Sequence, residues 1–382
     1  MNYDYKSLFL LDPKFIYLNH GSFGACFHDV HLKRINWIEK LKQNPVHFID
    51  DIVIDELKKS RIKLSTYVGC NYNDIVYVPN PTTAINTITK SIHDLNPKDE
   101  ILTTNHEYGA MNKTWEYFCK RKGLVYNKQE IQIPVSDHKS FVEEFWKGVN
   151  KKTKIIFISH ITSSTALIFP IKEICKRAKD CGILTIIDGA HVPGHIYLNL
   201  SDINPDIYVG ACHKWMCTPK GTAFLYVKKK IQSKIIPLVI SWGWESEYPS
   251  KSKFIDRHEF QGTNDFCSYL VVPDAINLMQ KHEWNKVSLN CHNLLKESYM
   301  EIIEVFNTSP ISPINSQWLG QMISIPINCS NPELLQKKLF EKNIVIPIIK
   351  WENFYFIRIS IQAYNSYEDI IFLKKILKEI IK

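Results

Sequence analysis

The sequence predicts an α/β protein in which a large, doubly wound, mostly parallel sheet is joined to a smaller α+β domain. Three features lead there. Apolar runs of strand length alternate with amphipathic helical stretches between Ile75 and Val209. That rhythm changes after about Pro273, where a long helical stretch gives way to closely spaced strands. Finally a carboxylate, Asp188, and a lysine, Lys214, follow two of the apolar runs, where open sheets of this kind gather ligands. The expected division is an N-terminal segment over 1–45, a large domain over 46–273 and a small domain over 274–382.

The elements follow in order. Ile75 to Val78 reads as a strand and Thr82 to Ile92 as a helix; Glu100 to Thr103 is again a strand, Gly109 to Lys122 a helix. Leu124 to Ile131 is read as a strand and Phe141 to Val149 as a helix. Lys154 to Ser159 is read as a strand, its interior continuously apolar from Ile155 to Ile158, as burial on both faces requires. Ile171 to Cys181 is an amphipathic helix with Gly182 as its cap, and the strands Ile183 to Ile187 and Asp206 to Val209 come next. Beyond Pro273 the reading is a helical stretch from Asp274 to about Phe306, a strand Met322 to Pro326 and a helix Pro332 to Lys342. Strands Ile344 to Ile349 and Phe354 to Ile361 and a helix Tyr367 to Ile381 complete it. The first forty or so residues are expected to pack with the small domain or to wrap a partner subunit.

Bulk composition excludes several classes. Hydrophobic residues at 45% and charged residues at 23% are ordinary for a soluble globular chain. No apolar run reaches membrane-spanning length, and polar Met1 to Ser7 lacks the character of a signal peptide. The ten cysteines are scattered without CxxC pairs, which fits reduced thiols and a cytoplasmic location. Cys212 and Cys217 flank Lys214, but no His/Cys quartet of zinc spacing accompanies them, so no metal is expected. The net charge of +8 resides in lysines spread along helices and in Lys228 to Lys230. It forms no basic stripe interleaved with aromatics, so neither nucleic acid nor membrane is an expected partner.

The chemistry-bearing stretches are Asp188-Gly189-Ala190-His191 and Gly210-Ala211-Cys212-His213-Lys214-Trp215. A lysine amine near a buried carboxylate is what pyridoxal 5'-phosphate (PLP) requires. The amine forms an imine with the cofactor aldehyde, and the carboxylate keeps the pyridine nitrogen protonated. The bland alternative makes Asp188 a loop cap and Lys214 a surface lysine. Thr82, Thr83 and Ala84 stand where a strand becomes a helix, and serve either as a phosphate cradle or as a plain helix cap. Tyr108, at the next such junction, is either a ring-stacking aromatic or a wedge between helix and sheet. His160 to Thr165 closes another strand with hydroxyls, and Arg358 is embedded in a β-branched strand.

Taken in order, the stretches Tyr17-Leu18-Asn19-His20-Gly21-Ser22-Phe23-Gly24, Glu107-Tyr108-Gly109-Ala110-Met111, His160-Ile161-Thr162-Ser163 and Asp188 to Gly194 carry a resemblance. It continues through Cys212 to Trp215 with Pro219-Lys220-Gly221, Gln261 to Asp265 and Arg358 to Asn365. Nearly end to end, the chain resembles class V aminotransferases, fold-type I PLP-dependent enzymes, and most of all the isopenicillin N epimerase-like branch.

The resemblance implies roles. Lys214 would carry the cofactor imine, Asp188 would pair with the ring nitrogen and Tyr108 would stack on the ring. Thr83 and His213 would hold the phosphate with Thr263 of a neighbouring subunit, in a homodimer. His191 and Ser163 would flank the phenolic oxygen; Arg358 would clamp the substrate carboxylate, with Asn19, His20 and Ser22 lining the substrate side. Two departures stand out. Ala211 replaces a phosphate-binding serine common in relatives, and Asn343 to Phe356 lacks the cysteine by which desulfurases of this class form a persulfide. The leading expectation is therefore a C–S β-lyase acting on a sulfur-containing amino acid. Epimerisation is next, transamination is a further outcome, and a non-catalytic PLP-fold binding protein is the alternative of another class.

Overall fold

The computed structural model describes residues 4–381, so Met1 to Tyr3 and Lys382 lie outside the described residues. Twelve strands are described: β1 Ile16–Tyr17, β2 Ile75–Val78, β3 Glu100–Thr104, β4 Val125–Gln129, β5 Thr153–Ser159 and β6 Leu184–Gly189. They continue with β7 Ile207–Ala211, β8 Ala223–Val227, β9 Met322–Pro326, β10 Ile344–Val345, β11 Ile348–Trp351 and β12 Phe354–Ser360.

Seven strands form the large sheet, in the order β2-β8-β7-β6-β5-β3-β4. Every pairing is parallel except those of β8, which runs against both neighbours. Successive side chains point to opposite faces, so each strand feeds two cores. Ile156, Ile158, Ile187 and Tyr208 pack on one face; Ile155, Phe157, Ile186 and Val209 pack on the other. This is why the strands read as unbroken apolar runs. Strand β8 escaped the sequence reading because no helix separates it from β7. An antiparallel return needs only a loop, and that loop, residues 212–222, carries Lys214.

Helix ends depart from expectation in instructive ways. Helix Pro81–Ser91 is capped by Asn80, whose Oδ1 accepts the Thr83 N–H at 2.8 Å, so neither threonine hydroxyl is the cap. Helix Ile171–Asp180 ends as expected before Gly182, whose φ of +68° suits a residue without Cβ. The expected helical stretch from Asp274 to Phe306 is two helices, Val272–Lys281 and Trp284–Phe306, parted where Glu283 adopts φ +48°.

In the small sheet β12 lies between β11 and β9, all antiparallel. The expected strand Ile344 to Ile349 is divided at Ile346-Pro347, because proline has no N–H to give a ladder. Its first half, β10, pairs in parallel with β1, and Asn19 bridges Ser360. The N-terminal segment thus reaches both the small sheet and, through Gly24, the loop holding Lys214. A Cβ on Gly24 would collide with the carbonyl oxygens of His213 and Lys214.

Candidate active site

The site lies at the carboxyl ends of β5, β6 and β7, where Ser159 pairs in register with Asp188 and Asp188 with Val209. A cavity of about 200 Å³ opens there, lined by Asp188, His191, Lys214 and Tyr108 among others. The Asp188 carboxylate is buried and accepts the Ala190 N–H at 3.0 Å. Burial pushes its pKa up, while that N–H and the Lys214 charge pull it back.

Lys214 faces the cavity but is ringed by protein atoms. Desolvation, helped by the Arg358 charge and opposed by Asp188, lowers its pKa to about 7. Its Nζ lies 3.1 Å from Nε2 of His191. Burial holds His191 well below the usual histidine range, so it is a neutral imidazole. With Nε2 accepting from the amine, the ring proton sits on Nδ1, which is buried and unpartnered among the described residues. A donor in that position calls for an acceptor on a ligand.

Arg358, on β12, is 2% exposed. Its Nη1 donates to the Ser163 carbonyl at 2.7 Å and, at 3.3 Å, to the Ser163 hydroxyl; Nη2 donates to the Ser22 hydroxyl at 2.8 Å. No carboxylate of the described residues pairs with it, its Nε is unpartnered, and burial lowers its pKa to about 10. A buried guanidinium held only by neutral groups is costly unless an anion arrives.

The remaining expected residues divide. Tyr108 is 47% exposed and lines the cavity, as do Thr82, Ser163, Ser22 and His213. The His213 Nδ1–H donates to the Thr222 carbonyl at 2.8 Å, and burial lowers its pKa to about 4. Thr83 and Ala84 are absorbed by the helix cap: the N–H and hydroxyl of Thr83 both bond Asn80 Oδ1, and the Ala84 N–H bonds the Asn80 carbonyl. Asn19 borders a separate groove and reaches the cavity through Ser22, whose hydroxyl it binds at 2.6 Å. His20 is fully buried behind the site, between the Tyr364 hydroxyl and the Lys214 carbonyl, both at 3.0 Å. It braces the lysine loop instead of facing substrate. His160 bonds the Tyr208 hydroxyl at 3.0 Å, away from the cavity. Thr263 is exposed on a loop outside the cavity of its own chain.

Phe23, Met111, Ile161 and Ser159 also line the cavity; the first three fall within stretches that carry the resemblance, though none was assigned a role there. No cysteine lines it, and the described residues contain no cluster of three metal-ligating side chains.

A poised amine, a buried carboxylate, an unpartnered imidazole N–H and an unpaired guanidinium fit PLP and an amino-acid carboxylate. The family model described as aminotransferase class-V matches residues 37–373. The chain belongs to that family. It is a PLP-dependent enzyme. Among class-V relatives, isopenicillin N epimerase of Amycolatopsis lactamdurans is 27% identical, over 97% of this chain and 96% of that protein. Hercynylcysteine sulfoxide lyase of Schizosaccharomyces pombe is 22% identical, over 99% and 97%. A solved complex of the cystine C–S lyase C-DES with cysteine persulfide superposes with a TM-score of 0.84 at 19% identity, covering 96% of this chain and 98% of that one.

Proposed function

We propose that the protein cleaves the C–S bond of a sulfur-bearing amino acid by β-elimination. The observation that carries this reading is the pairing of one poised amine, Lys214, with the unpaired guanidinium of Arg358. When bound, PLP supplies an aldehyde for amines and a ring that accepts the electron pair released at the substrate α-carbon.

The chain's own residues do the rest. Arg358 takes the α-carboxylate in a bidentate fork, and Ser22 and Ser163 fix the guanidinium plane. Asp188 would pair with the protonated ring nitrogen. Lys214, neutral above pH 7, would take the α-proton; His191 accepts a hydrogen bond from the amine at Nε2, and its Nδ1–H would be available to an oxygen of the bound cofactor. In the elimination the α C–H and β C–S bonds break, a C=C bond forms, and sulfur leaves as a thiol with one proton. Hydrolysis of the released enamine gives pyruvate and ammonia. One base can serve both transfers, which supports elimination, and no cysteine lines the cavity to form a persulfide.

Epimerisation is the second reading. It needs a second proton donor on the other face, and it is favoured by Tyr108, a phenol-bearing residue that lines the cavity, and by the likeness to isopenicillin N epimerase. Part of the same proposal are a cytoplasmic homodimer in which Thr263 completes the partner's phosphate site, and the domain division near 45 and 273. Incubation with cysteine conjugates decides between the reactions: pyruvate supports the lyase, whereas α-deuterium washout without pyruvate supports the epimerase. Neither product nor washout leaves a binding role, whereas transamination, which also breaks the α C–H bond, would release a keto acid that retains the sulfur substituent.

A further inference from the structure

A second buried carboxyl group stands beside Asp188 and has no part in the chemistry above. Glu107 is 4% exposed. Its Oε1 bonds the Thr104 hydroxyl at 2.8 Å and its Oε2 the Ser159 hydroxyl at 2.5 Å. The groups facing it are Thr104 at the end of β3, Ser159 from β5, Asp188 from β6 and Tyr126 from β4. The Asn112 amide, from the following helix, reaches only its backbone carbonyl. No cation forms an ion pair with it among the described residues, and the charge that acts on it is another carboxylate, Asp188. Ser159 ends β5, pairs in register with Asp188, and lines the cavity with it.

We propose that Glu107 is a positioning residue for the cofactor pocket: it keeps a proton in the working enzyme and, through Ser159, sets the hydrogen bond offered beside Asp188. A hydroxyl has one proton to give. If Glu107 is ionised, Ser159 must spend that proton on it and turns only lone pairs to the cavity. If Glu107 is a carboxylic acid, it donates to Ser159 Oγ and frees the serine proton to point at the ring. A neutral Glu107 also leaves Asp188 as the single negative charge near the ring nitrogen, the arrangement an electron-accepting ring needs. Burial, with the Asp188 charge adding to it, pushes Glu107 up to about 8, so the acid form prevails at neutral pH.

The inference concerns the cofactor pocket alone and stands whichever reaction the enzyme performs. It is tested on the holoenzyme by infrared spectroscopy and by the visible absorption of bound PLP. At pH 7 the wild type should show the C=O stretch of a protonated carboxylic acid, lost as pH rises through about 8 and absent in Glu107→Gln. The cofactor absorption should shift with the same midpoint, and that component should vanish in both Glu107→Gln and Ser159→Ala. Absence of the acid band from the wild type at pH 7 overturns the proposal. So does a cofactor titration that Ser159→Ala leaves unchanged, a result that can be read even if Glu107→Gln does not fold.

Discussion

The Lys214 amine and Nε2 of His191 lie 3.1 Å apart, and the amine is the donor because the imidazole stays neutral. Burial of the amine, with the Arg358 charge adding to it, sets a pH dependence of sign opposite to that of an ordinary surface lysine. Folded Lys214 loses its proton near pH 7, whereas an unfolded lysine holds it to about 10.4. Between those values the unfolded chain binds the extra proton, so this group's contribution to stability rises with pH. Below pH 7 both states are charged, and the fold bears the full desolvation of the amine. Cofactor-free Lys214→Met should therefore melt above the wild type at pH 6, with the gap shrinking toward pH 10 in paired thermal scans.

Borohydride reduction of the holoenzyme, followed by digestion, should leave the cofactor on the peptide containing Lys214. Lys214→Ala should give no labelled peptide and lose roughly 10²- to 10⁴-fold in turnover, the usual range for a positioned base. Mass spectrometry and a single-turnover assay check the two outcomes.

Arg358 has neutral partners and a free Nε, so its anionic partner should be the substrate. Arg358→Met should raise KM by roughly 10- to 100-fold, corresponding to about 1.5–3 kcal/mol for a charged hydrogen-bonded contact, with a smaller change in kcat. Arg358→Lys should recover little of this, since an ammonium cannot reproduce the fork. Steady-state kinetics over a substrate range separates the two parameters.

Gly24 has φ +69°, and a Cβ there would meet backbone oxygens of His213 and Lys214, which cannot swing aside as a side chain would. Gly24→Ala should cost about 1–3 kcal/mol of stability. It should also weaken cofactor retention, because the displaced atoms belong to the lysine loop. Denaturant titration and dialysis against buffer without PLP measure both.

The Trp351 Nε1–H donates to the Asn105 carbonyl at 2.9 Å, and the Asn105 amide reaches Glu352 at 2.7 Å. This ties the β11–β12 hairpin to the loop leading into Tyr108. Trp351→Phe removes the bond and keeps most of the ring. It should lower stability by about 1 kcal/mol and raise the Kd for PLP, followed by fluorescence titration.

The doubly wound sheet was legible because each central strand is buried on both faces, which imposes an uninterrupted apolar run such as Ile155 to Ile158. Asp188 was legible because a carboxylate directly after such a run must find a partner, and Lys214 because it falls in the loop that follows the next strand, β7. What the sequence hid was whatever depends on partners distant along the chain. β8 became a strand through antiparallel pairing with β7 and β2, and the two halves of Ile344 to Ile349, parted at Pro347, found different neighbours in β1 and β12.

The site divides along the same line. Residue identity by itself pointed to the Lys214 amine, the Asp188 carboxylate and the Arg358 guanidinium, because few side chains offer those chemistries. Tertiary structure alone decided that Thr83 serves Asn80, that His20 braces the lysine loop and that Glu107 lies beside Asp188. Hydrogen bonds are directional and short in range, and burial sets which protonation state survives. Neither can be read until the strands have brought those atoms together.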